Sequence, residues 1–420
     1  MKTISISENG IIRKQFEDAE KVNTFSEIFL CHKDFEVLKK LTFSTKNQQL
    51  LSYTIRVGGL EEIRVANYVG VIQLNKHFQI EILPKNTDDI QTARQSFLKM
   101  LRCLPNSPFK QLSEANLART NLPVFEILIS AFAEELERVF SVGLARYYQN
   151  QAQETTFIRG KIKTQKTHAT PNHFYCEFDE FSSNLPQNRL IKACVIKLLA
   201  NSTIEANRRK LKNLLQVLFD VKCSDNYEHD FQLCHTKNRL WQHYEKVMLW
   251  VNVFLNSETS SIWSGDIANI ALLFPTERLF EAYISTGIKK YLTTYNIQLQ
   301  GKAKYLIESY LAKPKYGLKP DIVLRNEQDC FVIDAKWKLL NMQTAQYNYG
   351  IEQSDLYQMY AYGKKYQAKS LFLIFPANAN FKQCTEPFIY DDDLTLYIIP
   401  FDLSENLNVE VNKLQQFLSS

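Results

Sequence analysis

The chain has 420 residues, of which 45% are hydrophobic, and this is enough to fill more than one hydrophobic core. Its formal net charge is only +5, and residues 266–420 carry 16 Lys and Arg against 17 Asp and Glu, so the basic excess lies before residue 266. This composition permits a nucleic-acid partner without requiring one. Because no segment approaches the roughly 20 apolar residues of a membrane span or resembles a signal peptide, we expect a cytoplasmic protein without membrane contact.

The N-terminal region is predicted to be rich in strands. Apolar residues alternate over 69–74 and 77–82, which predicts a hairpin that turns at Asn75 and Lys76. After Pro123 an apolar residue recurs at every fourth position, which predicts a core-facing helix. The residues of this stripe are Leu128, Phe132, Leu136, Phe140 and Leu144.

Further helices are predicted near 188–201 and 236–256, so the middle region is expected to be helical. The polar stretch 256–265 then predicts a boundary between a region spanning 1–265 and a second one spanning 266–420.

The C-terminal region alternates between helical and strand patterns, which predicts a mixed α/β sheet flanked by helices. The predicted helices cover 276–292 and 353–367, and the predicted strands lie near 303–310, 320–325, 330–336, 370–376 and 395–401. Taken together, the patterns predict an α+β multidomain protein.

Chemically informative residues concentrate in the segment KPDIVLRNEQDCFVIDAKWK, residues 319–338. Asp321 begins one short apolar strand, and Asp334 and Lys336 end the next, so an antiparallel pair would set these groups side by side. Burying two carboxylates and an ammonium is costly unless they pair or hold a metal. A divalent cation such as Mg²⁺ at Asp321 and Asp334 would offset that cost and would leave coordination positions for water and a substrate phosphate.

The competing interpretation of this segment is a surface hairpin with an ordinary ion pair. Three features favour an active site instead: a Pro-Asp dipeptide a turn-sized interval before Asp334-x-Lys336, an apolar strand leading into each acid, and a following helix with Gln358 and Tyr362 one turn apart.

These residues resemble the PD-(D/E)xK nucleases, here as Pro320-Asp321 and Asp334-x-Lys336. Most of the chain also resembles the McrC family, the nuclease subunits of McrBC-type modification-dependent restriction systems. The segments that carry this wider resemblance are RGKI (159–162), CEFDEFSSNLPQNRLIKA (176–193), FPTERLFEAYI (274–284) and DLYQMYAYG (355–363).

The resemblance implies a PD-(D/E)xK nuclease core in residues 266–420. It implies that Asp321 and Asp334 are metal ligands and that Lys336 is the catalytic lysine. Glu281 matches an acid that many of these nucleases place near the metal, and Gln358 matches a glutamine that some branches add to the site. A solvated helix acid and a half-exposed helix amide are the respective alternatives.

The resemblance also implies a partner, an AAA+ McrB-like GTPase expected to form a hexameric ring, and a double-stranded DNA substrate with modified cytosine. The chain itself has no GxxxxGK[ST] loop, so another subunit must supply nucleotide hydrolysis. Residues 1–265 would then dock on the partner and stimulate it. Candidate contacts are Lys85, Arg146, Arg159 and Lys161, although each is also explained as a solvated cation.

Two other clusters have ordinary explanations. Cys223, His229, Cys234, His235 and His243 form no common zinc-ligand spacing, and the scattered cysteines indicate reduced thiols. The basic run Arg208-Arg209-Lys210 with Lys212 could contact phosphate, but a polar helix face accounts for it as well.

Three functions therefore compete. The first is a Mg²⁺-dependent endonuclease subunit of a 5-methylcytosine restriction system that also activates a partner GTPase. The second is an NTPase-activating adaptor whose nuclease fold is only a scaffold. The third is a stand-alone DNA repair nuclease of the same fold, which the modest net charge disfavours.

Overall fold

The computed structural model describes residues 2–15, 22–43, 50–75, 78–163, 173–234, 239–256, 271–301, 304–391 and 394–418. Eleven α-helices and several sheets lie within these ranges, which confirms the α+β class. No helix in them is both long and apolar enough to cross a membrane.

The chain forms two compact units. The first comprises Met1–Val124 together with Ile262–Ser420, and the second comprises Phe125–Ser261. The predicted division at residue 265 separates a docking region from a nuclease region by function, and it stays a prediction. The compact units divide the chain at other positions. The stretch 256–265, where the boundary was placed, lies outside the described residues except for Asn256.

The N-terminal part of the first unit contains two small sheets and three helices. Its strands are β1 (Lys2–Ser7), β2 (Ile11–Lys14), β3 (Glu27–Leu30), β4 (Leu51–Ile55), β5 (Glu61–Val65), β6 (Tyr68–Asn75) and β7 (Phe78–Leu83). Its helices are α1 (His32–Thr42), α2 (Ile90–Arg102) and α3 (Glu114–Leu117). One sheet has the order β3-β2-β5-β4. The predicted hairpin is confirmed as the antiparallel pair β6–β7, while Lys76 of its turn lies outside the described residues.

The other N-terminal sheet takes its edge strand from the C-terminal part of the sequence. Its order is β1-β7-β6-β11, where β11 is Ala271–Pro275 and runs antiparallel to β6. This pairing brings the two backbones very close at Gly70, where a Cβ atom would lie 1.8 Å from the carbonyl oxygen of Leu272. Gly70 has φ +143°, so both space and backbone conformation require glycine there. The pairing fixes the start of the C-terminal region on the N-terminal sheet.

The second unit is mainly helical. It contains α4 (Val124–Val142), β8 (Tyr147–Thr155), β9 (Lys161–Ile162), β10 (Phe174–Ser182), α5 (Pro186–Asn201), α6 (Glu205–Val217), α7 (Tyr227–Leu233) and α8 (Glu245–Asn256). The predicted stripe on α4 is confirmed for Leu128, Phe132 and Leu136, which are buried, whereas Phe140 is half-buried and Leu144 follows the helix. A 3₁₀ helix covers Arg239–Tyr244, so α8 begins later than the sequence predicted.

The C-terminal part of the first unit is built on a mixed six-stranded sheet. Its elements after β11 are α9 (Thr276–Tyr291), β12 (Asn296–Leu299), β13 (Lys304–Tyr310), β14 (Lys313–Leu318), β15 (Ile322–Arg325), β16 (Cys330–Ala335), α10 (Gln353–Tyr366), β17 (Ser370–Pro376), β18 (Phe388–Asp391), β19 (Leu394–Phe401) and α11 (Leu407–Leu418). The order is β12-β15-β16-β17-β19-β18, while β13 and β14 form a separate hairpin. Every helix and strand predicted for this region is present.

Two helices cover this sheet. Helix α10 contacts β16, and its Met359 belongs to the same core cluster as Val332 of β16. Helix α9 also contacts β16, and its Phe280 ring lies 5.1 Å from that of Trp337. Since side chains alternate along a strand, Asp334 lies on the same face as Val332 and therefore faces α10.

Candidate active site

The two predicted acids are brought together by the hairpin of β15 and β16. The strands are antiparallel and Ile322 pairs with Ile333, so Asp321 and Asp334 are the next opposed pair along the ladder. Asp321 also accepts a hydrogen bond at Oδ2 from the backbone N–H of Ala335, at 2.8 Å. The expectation that this hairpin would set the two acids side by side is confirmed.

Lys336 lies against Asp334, as the alternation of the strand predicts. Its Nζ is 2.8 Å from Asp334 Oδ2, and the side chains are only 16% and 4% exposed. The backbone N–H of Lys336 donates to the carbonyl oxygen of Ile374, which extends the pairing of β16 with β17 to this residue. The ion pair is therefore buried and held on a central strand.

Gln358 of α10 is in direct contact with Lys336. Lys336 Nζ donates to Gln358 Oε1 at 3.0 Å, and Gln358 Nε2 donates to the hydroxyl of Tyr362 at 2.7 Å. Burial raises the pKa of Tyr362 to about 12, so its hydroxyl stays protonated at neutral pH. With both ends of its amide engaged, Gln358 turns its oxygen towards the ammonium.

Glu281 of α9 is connected to Asp321 through Gln300. Gln300 Nε2 donates to Glu281 Oε1 at 2.6 Å, and the backbone N–H of Gln300 donates to the carbonyl oxygen of Asp321 at 2.9 Å. Gln300 therefore links the two acids, and the charge of Glu281 contributes to the raised pKa of Asp321.

Asp355 was missed by the sequence analysis. It is buried on α10, where its Oδ2 lies 2.8 Å from Lys338 Nζ and its Oδ1 lies 3.9 Å from Lys336 Nζ. Its position in the sequence could have indicated a place in the site, because Asp355 lies three residues before Gln358 and therefore on the same helix face. Lys338 also pairs with Glu352 at 2.9 Å.

The site carries more negative charge than its cations neutralise. Burial, and then the charges of Asp334 and Glu281, raise the pKa of Asp321 to about 8. Burial likewise raises the pKa of Asp334, although the nearby ammonium of Lys336 opposes this. Burial disfavours the charged form of Lys336, but the nearby carboxylates, Asp334 foremost, together outweigh it and raise the pKa of that lysine. A bound proton or cation would therefore stabilise these carboxylates.

Asp321 and Asp334 fit a hard divalent cation. Asp334 is buried and Asp321 is half-buried, and both offer the carboxylate oxygens that magnesium prefers. Magnesium commonly binds one or two carboxylates and completes its coordination with water and substrate phosphate. Within the described ranges, Asp334 Oδ2 accepts no hydrogen bond of good geometry despite its ion pair with Lys336. An oxygen of this kind can serve as a ligand.

Larger metal clusters are not formed by the part of the chain that the structure describes, where no three His, Cys, Asp or Glu side chains are arranged around a common metal position. Glu281 therefore does not complete a three-carboxylate site with Asp321 and Asp334, and its role as a metal ligand stays a prediction. The Cys223–His243 cluster forms no zinc site among its described members either, and His235 lies outside the described residues.

Comparisons with known proteins give a consistent picture. A family model described as "McrBC 5-methylcytosine restriction system component" matches residues 63–376. The fold is similar to that of a chain in the half-complex from the tetradecameric assembly of Thermococcus gammatolerans McrB AAA+ hexamers with bound McrC. That likeness has a TM-score of 0.71 and 18% identity, and it covers 98% of this chain and 100% of that chain.

A chain in the cryo-EM structure of the Thermococcus gammatolerans McrBC complex is also similar, with a TM-score of 0.50, 20% identity, and coverage of 70% of this chain and 89% of that one. No curated protein matches the sequence. Because the family model spans most of the sequence, the chain belongs to the family of McrBC 5-methylcytosine restriction system components.

Proposed function

We propose that this chain is the nuclease subunit of a 5-methylcytosine restriction system, a metal-dependent DNA endonuclease with a PD-(D/E)xK core in residues 266–420. The observation that carries the proposal is the buried contact of Asp334 with Lys336, opposite Asp321 on adjacent strands. Two carboxylates and a lysine in this arrangement suit the hydrolysis of a phosphodiester, which needs charge stabilisation and an activated water.

Asp321 and Asp334 would hold Mg²⁺ or another divalent cation, which would acidify a water and stabilise negative charge on the phosphate. Lys336 keeps its proton, because Asp334 raises its pKa, and so it can place a positive charge beside a phosphate oxygen. Gln358 and Asp355 restrict where that ammonium can point. Gln358 is thus a positioning residue for Lys336.

We further propose that the chain docks on a McrB-like AAA+ GTPase ring and stimulates it. The similar chain of known structure belongs to an assembly of McrB AAA+ hexamers with bound McrC. In the second unit, the sheet of β8, β9 and β10 and the segment between β8 and β9 expose large apolar side chains, and such surfaces often mark protein interfaces. These are Tyr147, Tyr148, Phe157, Ile158, Ile162 and Phe181.

The predicted cations Arg159 and Lys161 lie in the same region, and Arg159 stacks on the ring of Phe178 at 4.1 Å. Arginine held in this way presents its charge in a fixed direction, which favours a role in recognition. The β8–β10 sheet is therefore the surface that we assign to the partner.

The test is cleavage of 5-methylcytosine-containing and unmethylated plasmid with Mg²⁺, by the chain alone and with its AAA+ partner, in GTP or ATP. Cutting that requires methylation, partner and nucleotide supports the proposal. Cutting by the chain alone favours a stand-alone nuclease. Stimulated NTP hydrolysis without cutting under any metal condition favours the adaptor and refutes the nuclease.

A further inference from the structure

A large cavity in the first compact unit lies between the end of α2 and one face of α9. Its volume is about 1060 Å³, and its described lining contains five cations and one carboxylate. These are Arg102, Lys110, Arg278, Lys289 and Lys290 on the basic side and Glu281 on the acidic side. We call it the basic cleft.

One face of α9 forms a track along the cleft, with Arg278 near one end and Lys289 and Lys290 at the other. Arg278, Glu281, Ser285 and Lys289 are spaced by three or four residues, so they share one helix face. With a rise of 1.5 Å per residue, the helix from Arg278 to Lys290 is about 18 Å long. Duplex DNA advances about 3.4 Å per base pair, so this length corresponds to about five base pairs.

The basic cleft ends at the candidate active site. Glu281 lines it and raises the pKa of Asp321, while Gln300 lines it and donates its backbone N–H to the carbonyl oxygen of Asp321. A polyanion along the α9 track would therefore reach the acids near Glu281, one turn from the Arg278 end.

The cations of the basic cleft remain accessible. Lys110, Arg278, Lys289 and Lys290 are exposed. Arg102 pairs with Glu114, whose side chain is 82% exposed. An ion pair this exposed to water is weak, so Arg102 can exchange Glu114 for a phosphate. Three of the five cations come from residues 266–420, where 16 cations face 17 acids, and the fold joins them to Arg102 and Lys110 of the N-terminal part.

We propose that the basic cleft binds the sugar–phosphate backbone of duplex DNA beside the phosphodiester that is cut. This inference rests on the proposed nuclease function for the identity of the polyanion. Cations placed at both ends of the α9 track, with Arg102 and Lys110 on the α2 side, suit a ligand with repeated phosphates better than a single small anion. Such contacts to the backbone do not read sequence.

The test measures binding of the full chain to a fluorescent duplex of 30 base pairs with 5-methylcytosine, in EDTA so that no cutting occurs, across a salt series. The variant carries Lys289→Gln and Lys290→Gln. Loss of two phosphate contacts should flatten the slope of log K against log salt by about 1.8 and weaken binding at low salt by about tenfold or more. Arg278→Gln, at the other end of the track, should flatten the slope by about 0.9.

The matched control carries Lys33→Gln and Lys382→Gln, which remove two exposed cations of the same unit outside the basic cleft. The control should bind like wild type. Equal slopes for wild type, control and cleft variants overturn the proposal, as does the absence of binding by wild type at low salt. If binding depends on the cleft but wild type with partner, nucleotide and Mg²⁺ cuts nothing, the nuclease proposal fails and this one stands.

Discussion

The indole N–H of Trp337 donates a hydrogen bond to the carboxylate of Glu8, which lies 329 residues earlier in the chain. Glu8 follows β1, is buried, and also accepts from the hydroxyl of Thr276, the first residue of α9, at 2.7 Å. One N-terminal carboxylate thus holds both the residue after Lys336 and the beginning of the helix that carries Glu281. This links the N-terminal sheets directly to the candidate active site.

Glu8 is predicted to be important for stability. Glu8→Ala leaves the Trp337 N–H and the Thr276 hydroxyl without this acceptor, and each buried unpaired group costs about 1–3 kcal/mol. Glu8→Gln keeps one acceptor oxygen and should destabilise less, the more so because burial raises the pKa of Glu8 and already disfavours its charge. Urea unfolding followed by circular dichroism measures both losses. Two variants as stable as wild type would show that these hydrogen bonds contribute nothing.

Asp334 is predicted to be essential for cleavage. Asp334→Asn removes a charge that would bind the cation and pair with Lys336, so the rate of plasmid cleavage by the complete system should fall by at least about 100-fold. Assembly with the partner, measured by size-exclusion chromatography, should be unchanged. Glu327→Gln, in the exposed turn of the same hairpin, is the matched control and should cut normally. Cleavage retained by Asp334→Asn would rule out this site.

Gln358 is predicted to act by positioning Lys336. Gln358→Ala removes the acceptor 3.0 Å from the ammonium, and loss of a comparable orienting contact typically lowers activity by about 10- to 100-fold. The effect should fall on kcat rather than on DNA affinity, which separates positioning from substrate binding. Gln353→Ala replaces an exposed glutamine on the same helix and should leave kcat unchanged. Equal kcat values for the two variants would contradict the assigned role.

The local part of the site was predictable from the sequence. Alternation along a strand placed Asp334 and Lys336 together, a turn-sized interval placed Asp321 opposite, and helical spacing paired Gln358 with Tyr362. The structure contains these contacts.

The long-range part of the fold was not predictable in this way. The pairing of β11 with β6, the contact of Glu8 with Trp337 and the basic cleft each join segments that are far apart in the chain. Such contacts leave no periodic pattern within a sequence window. The sequence of the short apolar strand β11 therefore does not indicate its partner strand, and that of Glu8 does not indicate its contact with Trp337. The basic run Arg208-Arg209-Lys210 lies on helix α6, in agreement with its interpretation as a polar helix face.

The last prediction concerns pH and metal binding. In the absence of a cation the pKa of Asp321 is about 8, well above the ordinary value of 3.8 that applies when the chain is unfolded. The folded state then binds the proton more tightly, so this group's contribution to stability is complete below about pH 3.8 and is lost as the pH rises through about 8. Because Mg²⁺ binds the charged carboxylates, the increase in Tm that it causes should be larger at pH 9 than at pH 6. Thermal unfolding of the full chain with EDTA or Mg²⁺ at both pH values measures this, and Asp321→Asn should remove most of the difference. A Mg²⁺ effect of the same size at pH 6 and pH 9 would mean that the cation does not bind at Asp321.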